Sequence, residues 1–427
     1  MIRRTSPALA TLAAFAAAAA FGGLAAAVAS AAPPSTLFVN GAPLANHTGR
    51  SCSSAAYATI GAAVTAAAPG STIVVCPGVY HEGVLLDKQL TLKGFGAVID
   101  ASSSPLGNGV QIAGPGGSGS TVEGFRIQNA EFEGILVGTA PVAPGTVGGT
   151  AVTVGAPVSD VTIADNTVVG NDTGFSSTAG QCFSTPNAPG DCGEAIHLVS
   201  VTNSTVTRNY VINNAGGILL TDEFGPTSGN VISDNRSIHN QYDCGITLAG
   251  HNPAAVNPAT GQPTGVAGIF NNLIEGNTAN DNGVLGQGAG ILLGGGAPFA
   301  GVYDNTIQHN IAIGNGLAGV TIHQHFIGDL NGNVVEWNLL SNDNVDGDFD
   351  FAAAADPQTT GILIAAGLPP GPPNELPPAP AKITGTVVRF NVILGVHTGI
   401  WTLGVDPSTT QLAPNFFLGV ASPISNN

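Results

Sequence analysis

The chain has 427 residues; only 9% are charged, 60 are glycine, and 10 Lys and Arg stand against 27 Asp and Glu for a net charge of −17. That balance argues against nucleic-acid binding, because phosphate contacts need clustered cations. So much glycine and so little charge also suit a β-solenoid and not a helical domain.

Residues 1–31 read as a secretory leader. Arg3 and Arg4 form a charged start, Ala8 to Val28 is an apolar run, and Ala29-Ser30-Ala31 is a cleavage site of the A-x-A type. The alternative is an uncleaved membrane anchor, but the run is Ala-rich, weakly hydrophobic and ends in a good site. Arg3-Arg4 as a twin-arginine signal finds poor support in its flanks. No later segment is long and apolar enough to span a bilayer, so the expected location is extracellular. Five cysteines in an exported chain suggest disulfides. Cys52 and Cys76 bracket one short helical stretch, Cys182 and Cys192 close a polar loop, and Cys244 is left over as a buried thiol. The helix is expected over 57–68, ended by Pro69-Gly70, with strands over 71–75, 84–86 and 90–92. Placed over the open end of a solenoid, such a helix would cap its exposed edge.

From there the chain repeats a phrase: Gly217-Ile218-Leu219-Leu220, Gly245-Ile246-Thr247-Leu248, Gly290-Ile291-Leu292-Leu293, Gly319-Val320-Thr321-Ile322 and Gly361-Ile362-Leu363-Ile364. Weaker copies start at Gly134, Ala195 and Gly399. Between them runs an Asn phrase, from Asn166 to Asn171, Asn272 to Asn277, Asn305 to Asn310 and Asn333 to Asn338. The period drifts over roughly 22 to 45 residues, the range of solenoids. Gly-Ile-x-Leu is strand chemistry: Ile and Leu face one way, the middle residue the other. Asn at one corner of every coil can stack into a hydrogen-bonded ladder, and Gly and Asn tolerate the left-handed backbone of tight corners. The reading is an all-β chain, a right-handed parallel β-helix with an N-terminal capping helix. A β-sandwich is the alternative, disfavoured by near-identical phrases at a drifting period. Boundaries follow: leader 1–31, cap and first coil 32–95, repeats 96–404, C-terminal cap 405–427.

The run Ala68-Pro69-Gly70-Ser71-Thr72-Ile73-Val74-Val75-Cys76-Pro77-Gly78-Val79-Tyr80-His81-Glu82, with Leu90-Thr91-Leu92-Lys93-Gly94 after it, resembles the N-terminal coil of secreted parallel β-helix proteins. That is the pectate-lyase-like superfamily, including the NosD-type periplasmic proteins. The resemblance implies the fold but no single activity, since the superfamily holds lyases, hydrolases, epimerases, adhesins and accessory proteins. The motifs of its pectin-hydrolysing members are met only by Gly250-His251-Asn252 in part, the Arg-Ile-Lys element is missing, and the Asp-Pro-His-Asp of alginate epimerases is absent.

Insertions at 172–191, 343–359 and 367–380 break the period and mark a binding face. Aligning coils on the repeated phrase places Thr221-Asp222-Glu223, Ala249-Gly250-His251, Gly294-Gly295-Gly296 and His323-Gln324-His325 in register. With coils about 4.8 Å apart, Glu223 and His251 become neighbours, and His325 lies roughly 10 Å from His251 across a glycine floor. Asp222, Glu223, His251, His323 and His325 are therefore the candidate catalytic residues, carboxylates and imidazoles on the walls of a cleft. Thr247 and Thr321 would continue this surface, with His197 a coil or two before it. His81 and His239 are expected to be solvated turn residues. A zinc or copper site from Glu223 and the histidines is set aside, as the spacing across the glycine coil is wide. Asp343, Asp346, Asp348 and Asp350 share an acidic loop with Gly347 and are the candidate calcium ligands.

The expected partner is a polysaccharide or other glycan, neutral or weakly charged in view of the acidic chain, unless calcium bridges an acidic one. Sugar-stacking aromatics are sparse: Trp337, Trp401 and Phe326. The chain reads as a monomer, either a hydrolase or lyase of an extended glycan, or a non-catalytic adhesin-like solenoid, or a metal-handling accessory protein. The last is weakened because its only Met starts the leader.

Overall fold

The computed structural model describes residues 33–42, 46–138, 157–176, 181–182, 194–286, 288–324, 326–345, 359–366 and 383–426. The repeated phrase forms an 11-stranded parallel sheet that adds strands in chain order. It runs from Val84–Leu86 through Glu194–Val199, Gly216–Thr221, Ile246–Gly250, Ile291–Gly295 and Val320–Gln324 to Ser422–Asn426. Each strand pairs in register with the next, Ile218 with Ile246, then Ile291, then Val320. Parallel neighbours require crossover connections, and these are right-handed. The chain is thus a right-handed parallel β-helix.

Alternation does what the sequence promised inside the coil. Ile196, Leu198, Ile218, Leu220, Ile246, Leu248, Ile291, Leu293, Ile362 and Ile364 fill one continuous core. Outside, the result differs from expectation. The middle residues Leu219, Thr247, Thr321 and Leu363 are buried as well, so this sheet is covered on both faces. Ala318, Leu363 and Ala365, with Trp401 packed against them, make a second apolar cluster on its outer side. Such a doubly covered strand reads as a continuous apolar run rather than a clean alternation.

The corners are built from asparagine. Asn166, Asn209, Asn235, Asn277, Asn310, Asn338, Asn391 and Asn415 form one ladder, each Oδ1 accepting from the backbone N and Nδ2 of the Asn one coil earlier at 2.9–3.1 Å. Asn171, Asn214, Asn240, Asn282 and Asn315 form a second. Asn230, Asn272, Asn305 and Asn333 form a third. The left-handed residue is not the ladder Asn but the one before it: Arg208 (φ 54°), Asp234 (55°), His309 (56°), Trp337 (59°) and Phe390 (58°). Saturated bonding of the following Asn holds the corner, so even bulky side chains occupy it.

The helix spans Ile60–Ala66, shorter than the expected 57–68 because Thr59 caps it and Tyr57 bridges to Val39 instead. Glu82 accepts from the first helical amides, Ile60 N at 2.8 Å and Gly61 N at 2.9 Å. Ile60, Ala63 and Val64 are buried, and the helix packs on Thr36–Val39, Thr72–Val75 and Val84–Leu86. Cys52 and Cys76 are joined by a disulfide, the chemistry of an oxidising compartment, and Cys244 is a buried thiol. Cys192, the leader and most of the three insertions lie outside the described residues. At the other end, Phe416–Leu418 and Ser422–Asn426 pair with the preceding coil, so one more coil stands where the repeat was expected to stop. Asn415, the last rung of its ladder, carries it. No helix among the described residues is long and apolar enough to cross a membrane.

Candidate functional site

Strand register places the aligned triplets as the sequence suggested. Thr221 pairs with Ala249, Ala249 with Gly294 and Gly294 with His323, while Gly250 pairs with Gly295 and Gly295 with Gln324. Glu223 and His251 sit just past their strand ends, where the chain turns out of the sheet. His325, the fourth member of that row, lies outside the described residues.

Asp222 is fully buried, and its carboxylate is occupied by backbone. Oδ1 accepts from His251 N at 2.7 Å and Asn252 N at 3.1 Å, and Oδ2 accepts from Gly268 N at 2.7 Å. It therefore ties together both feet of the loop that leaves the sheet at His251 and returns at Gly268. Burial pushes this carboxyl up to about 6, with the three amides pulling the other way. An acid so engaged cannot also reach a substrate.

Glu223 has the opposite setting. Its Oε1 lies 2.9 Å from His251 Nδ1, and both side chains keep about a quarter of their surface open, 26% and 29%. Burial pushes the Glu223 carboxyl up, but the hydrogen bond and charge of His251, the charge of His197 and the Thr221 hydroxyl outweigh it and bring it down to about 2. Glu223 is thus an ionised acceptor at neutral pH. It fixes the proton on Nδ1 and turns Nε2 of His251 away from itself. Gly296 is part of this geometry: a Cβ there would stand 3.1 Å from His251 Cδ2 and 3.4 Å from Nε2. A Cβ at Gly294 would likewise stand 3.5 Å from His323 Nε2. The glycine coil is a floor over which two imidazoles lie. Their backbones are two coils and two residues apart, roughly 12 Å, and both rings reach over the coil between them.

A second histidine–carboxylate contact precedes this pair. His197 Nε2 lies 2.9 Å from Thr221 Oγ1, and its Nδ1 lies 3.4 Å from Glu133 Oε1. Glu133, Thr221 and His197 thus continue towards Glu223. Sequence reading placed His197 near the site but passed over Glu133, which directly precedes the weaker repeat copy starting at Gly134.

The acidic loop resolves differently. Asp343 is buried and is the last rung of the second ladder, accepting from Asn315 N at 3.1 Å, Asn315 Nδ2 at 2.7 Å and Ser341 N at 3.1 Å. Burial pushes it up to about 7. It is a corner residue, not part of a loop tip. Asp346, Asp348 and Asp350 lie outside the described residues. Among the described residues no three His, Cys, Asp or Glu side chains gather as a metal site. His239 is half exposed and 3.8 Å from Asp281, and His81 is exposed, as expected of turn residues. Trp337 stacks between His309 and Phe390 at an outer corner, and Trp401 lies on the outer apolar cluster, so neither adjoins Glu223.

The fold and site define the class: a right-handed parallel β-helix with an acid–imidazole pair at the edge of its 11-stranded sheet. A family model described as periplasmic copper-binding protein (NosD) matches residues 105–257, a stretch shorter than half the chain that includes Glu223 and His251. No curated protein matches the sequence. Among solved structures, the A-module of mannuronan C-5 epimerase AlgE6 from Azotobacter vinelandii is 15% identical, covering 85% of this chain and 93% of its own, with a TM-score of 0.46. Pectate lyase Pel9A is 15% identical over 90% of this chain and 80% of its own, with a TM-score of 0.48. Alginate lyase from Paenibacillus sp. str. FPU-7 is 13% identical over 92% and 99%, with a TM-score of 0.38. At such distances these likenesses assign no activity to this chain.

Proposed function

We propose that this is a secreted carbohydrate-active protein in which His251, held by Glu223, moves a proton on an extended glycan. The single observation that carries the reading is the 2.9 Å contact between Glu223 and His251 at a partly open sheet edge. A carboxylate that orients an imidazole makes a competent general base, as in hydrolytic triads. Hydrolysis of a glycoside by the usual route needs two accessible carboxyl groups, one of them protonated. Here Asp222 is engaged by three amides and Glu223 is ionised. Proton abstraction by a single base, the chemistry of lyases, suits the pair better than hydrolysis. His323 and, by sequence alignment, His325 would position the substrate or balance its charge across the glycine floor.

The residues do not fit a copper role equally well. His251 spends one nitrogen on Glu223, the described residues gather no third ligand, and the chain has no Met beyond its first residue. Calcium at Asp346, Asp348 and Asp350 stays within the proposal, as a bridge to an acidic glycan, with Asp343 already spent on its ladder. Export follows from the leader at 1–31 and accords with the Cys52–Cys76 disulfide.

The test is a product assay with neutral and acidic polysaccharides, with calcium and with chelator. Reducing ends together with the ultraviolet absorbance of unsaturated uronates are the expected result. Reducing ends alone would replace elimination by hydrolysis. Silence on every substrate would leave a glycan-binding solenoid without catalysis.

A further inference from the structure

A cavity of about 370 Å³ opens at the opposite edge of the same sheet, where Gly216–Thr221 begins. It is lined by Asp172, Thr173, Asn213, Ala215, Gln241 and Tyr242, among others, contributed by successive coils about 4.8 Å apart. Asp172 is only 4% exposed. Its Oδ2 accepts from Ala215 N at 2.9 Å and the Gly216 amide also faces the carboxyl, but its Oδ1 is buried without a hydrogen bond of good geometry. A buried polar atom left unmet is costly, and in a cavity wall it calls for a partner from a ligand. Thr173, Asn213 and Gln241 are exposed around it, and Tyr242 is half-buried.

These groups define the ligand chemistry. Two carboxamides offer donors and acceptors together, the Asp172 carboxyl, which burial pushes well above the usual carboxylate range, leaves one oxygen to bond a ligand hydroxyl or amide, and Tyr242 offers a flat apolar face with a polar tip. An anion is disfavoured by Glu133 nearby and by the net charge of −17. A chelated metal is disfavoured because no third ligand gathers among the described residues. Apolar ligands find only Ala215 and the Tyr242 ring.

We infer that this cavity binds one neutral sugar residue, its hydroxyls bonding to Asp172, Asn213 and Gln241, with its ring against Tyr242. The inference goes beyond the proposed function. Seven residues of extended chain, about 23 Å, separate Ala215 from Asp222, so binding here and proton transfer at His251 can fail independently.

Isothermal titration calorimetry of the full chain carrying His251→Ala reads the cavity without turnover, using glucose, galactose, mannose and N-acetylglucosamine. At least one should bind in the millimolar range, and Gln241→Ala and Asp172→Asn should each weaken it about tenfold or more. Gln241 is exposed, so its variant should keep the parental melting curve even where Asp172→Asn does not. No binding of any of the four up to about 50 mM overturns the inference, as does binding that survives both substitutions. Calcium uptake lost in Asp172→Asn, with no sugar bound, overturns it in favour of a cation site. Product formation by the parent protein is read separately and bears only on His251.

Discussion

Two regions of this solenoid treat polar side chains in opposite ways. At the asparagine corners the side chains before the terminal rung Asn415 are buried and each bond is repeated on the next coil, so a given Asn is interchangeable with its neighbours. At the sheet edge after Gly216–Thr221 nothing repeats: Asp222 and Glu223 are adjacent in sequence yet do unrelated work. Asp222 faces inward and holds a loop, while Glu223 faces outward and holds an imidazole. Periodicity therefore marks what builds the fold, and the break in periodicity marks where chemistry is available.

The largest effect should come from the periodic side. Asn277→Ala removes a fully engaged side chain from the middle of a ladder, stranding the backbone amide of Asn235 and a carbonyl at Ile232. At about 1 to 3 kcal/mol for each buried group left unmet, a loss of about 4 kcal/mol is expected in urea unfolding. Asp222→Ala comes next, with about 3 kcal/mol lost as three amides lose their acceptor, and with faster proteolysis of the 251–268 loop. Equal stability of Asp222→Ala and parent would mean the loop holds itself. Glu223→Gln should lower stability by about 2 kcal/mol, less than Asp222→Ala, yet slow turnover about 100-fold, because Gln cannot fix the imidazole as an ionised carboxylate does. If stability falls as far as in Asp222→Ala while turnover is kept, Glu223 is part of the scaffold like its neighbour.

The smallest effect concerns Asp343. Its folded pKa of about 7 lies above the ordinary value of 3.8, so its contribution to stability is full below that ordinary value and is lost as pH rises through 7. Asp222, at about 6, acts in the same direction. Glu223, at about 2, contributes stability above its ordinary 4.5 that is lost only as pH falls towards 2. The melting temperature should therefore rise from pH 8 to pH 5. Asp343→Asn, which places the usual ladder residue at this rung, should flatten that rise and gain about 1 kcal/mol at pH 8. A melting temperature flat from pH 8 to pH 5 in the parent would contradict it.

Register was legible because a strand has a period of two and its phrase recurs five times, so aligning Gly217, Gly245, Gly290 and Gly319 suffices to place His251 beside Glu223. Asp343 was legible too, but from a different count. Asn305, Asn310 and Asn315 are followed by Asn333, Asn338 and Asp343 at the same spacing of five, which assigns Asp343 to the ladder before any calcium loop is considered. The engagement of Asp222 was not legible, since it depends on where an irregular loop returns at Gly268. Nor were the partners at the cavity: Asn213 directly precedes the rung Asn214 and Gln241 directly follows the rung Asn240, and only the coil stacking brings them to Asp172.

The most direct test of the account is the rate of glycan turnover by His251→Ala set beside its unfolding midpoint. The account predicts a loss of about 100-fold or more in turnover with a midpoint close to the parent's, since the loop amide held by Asp222 is untouched. Turnover undiminished in His251→Ala would place the chemistry elsewhere and reduce the Glu223–His251 pair to a surface contact.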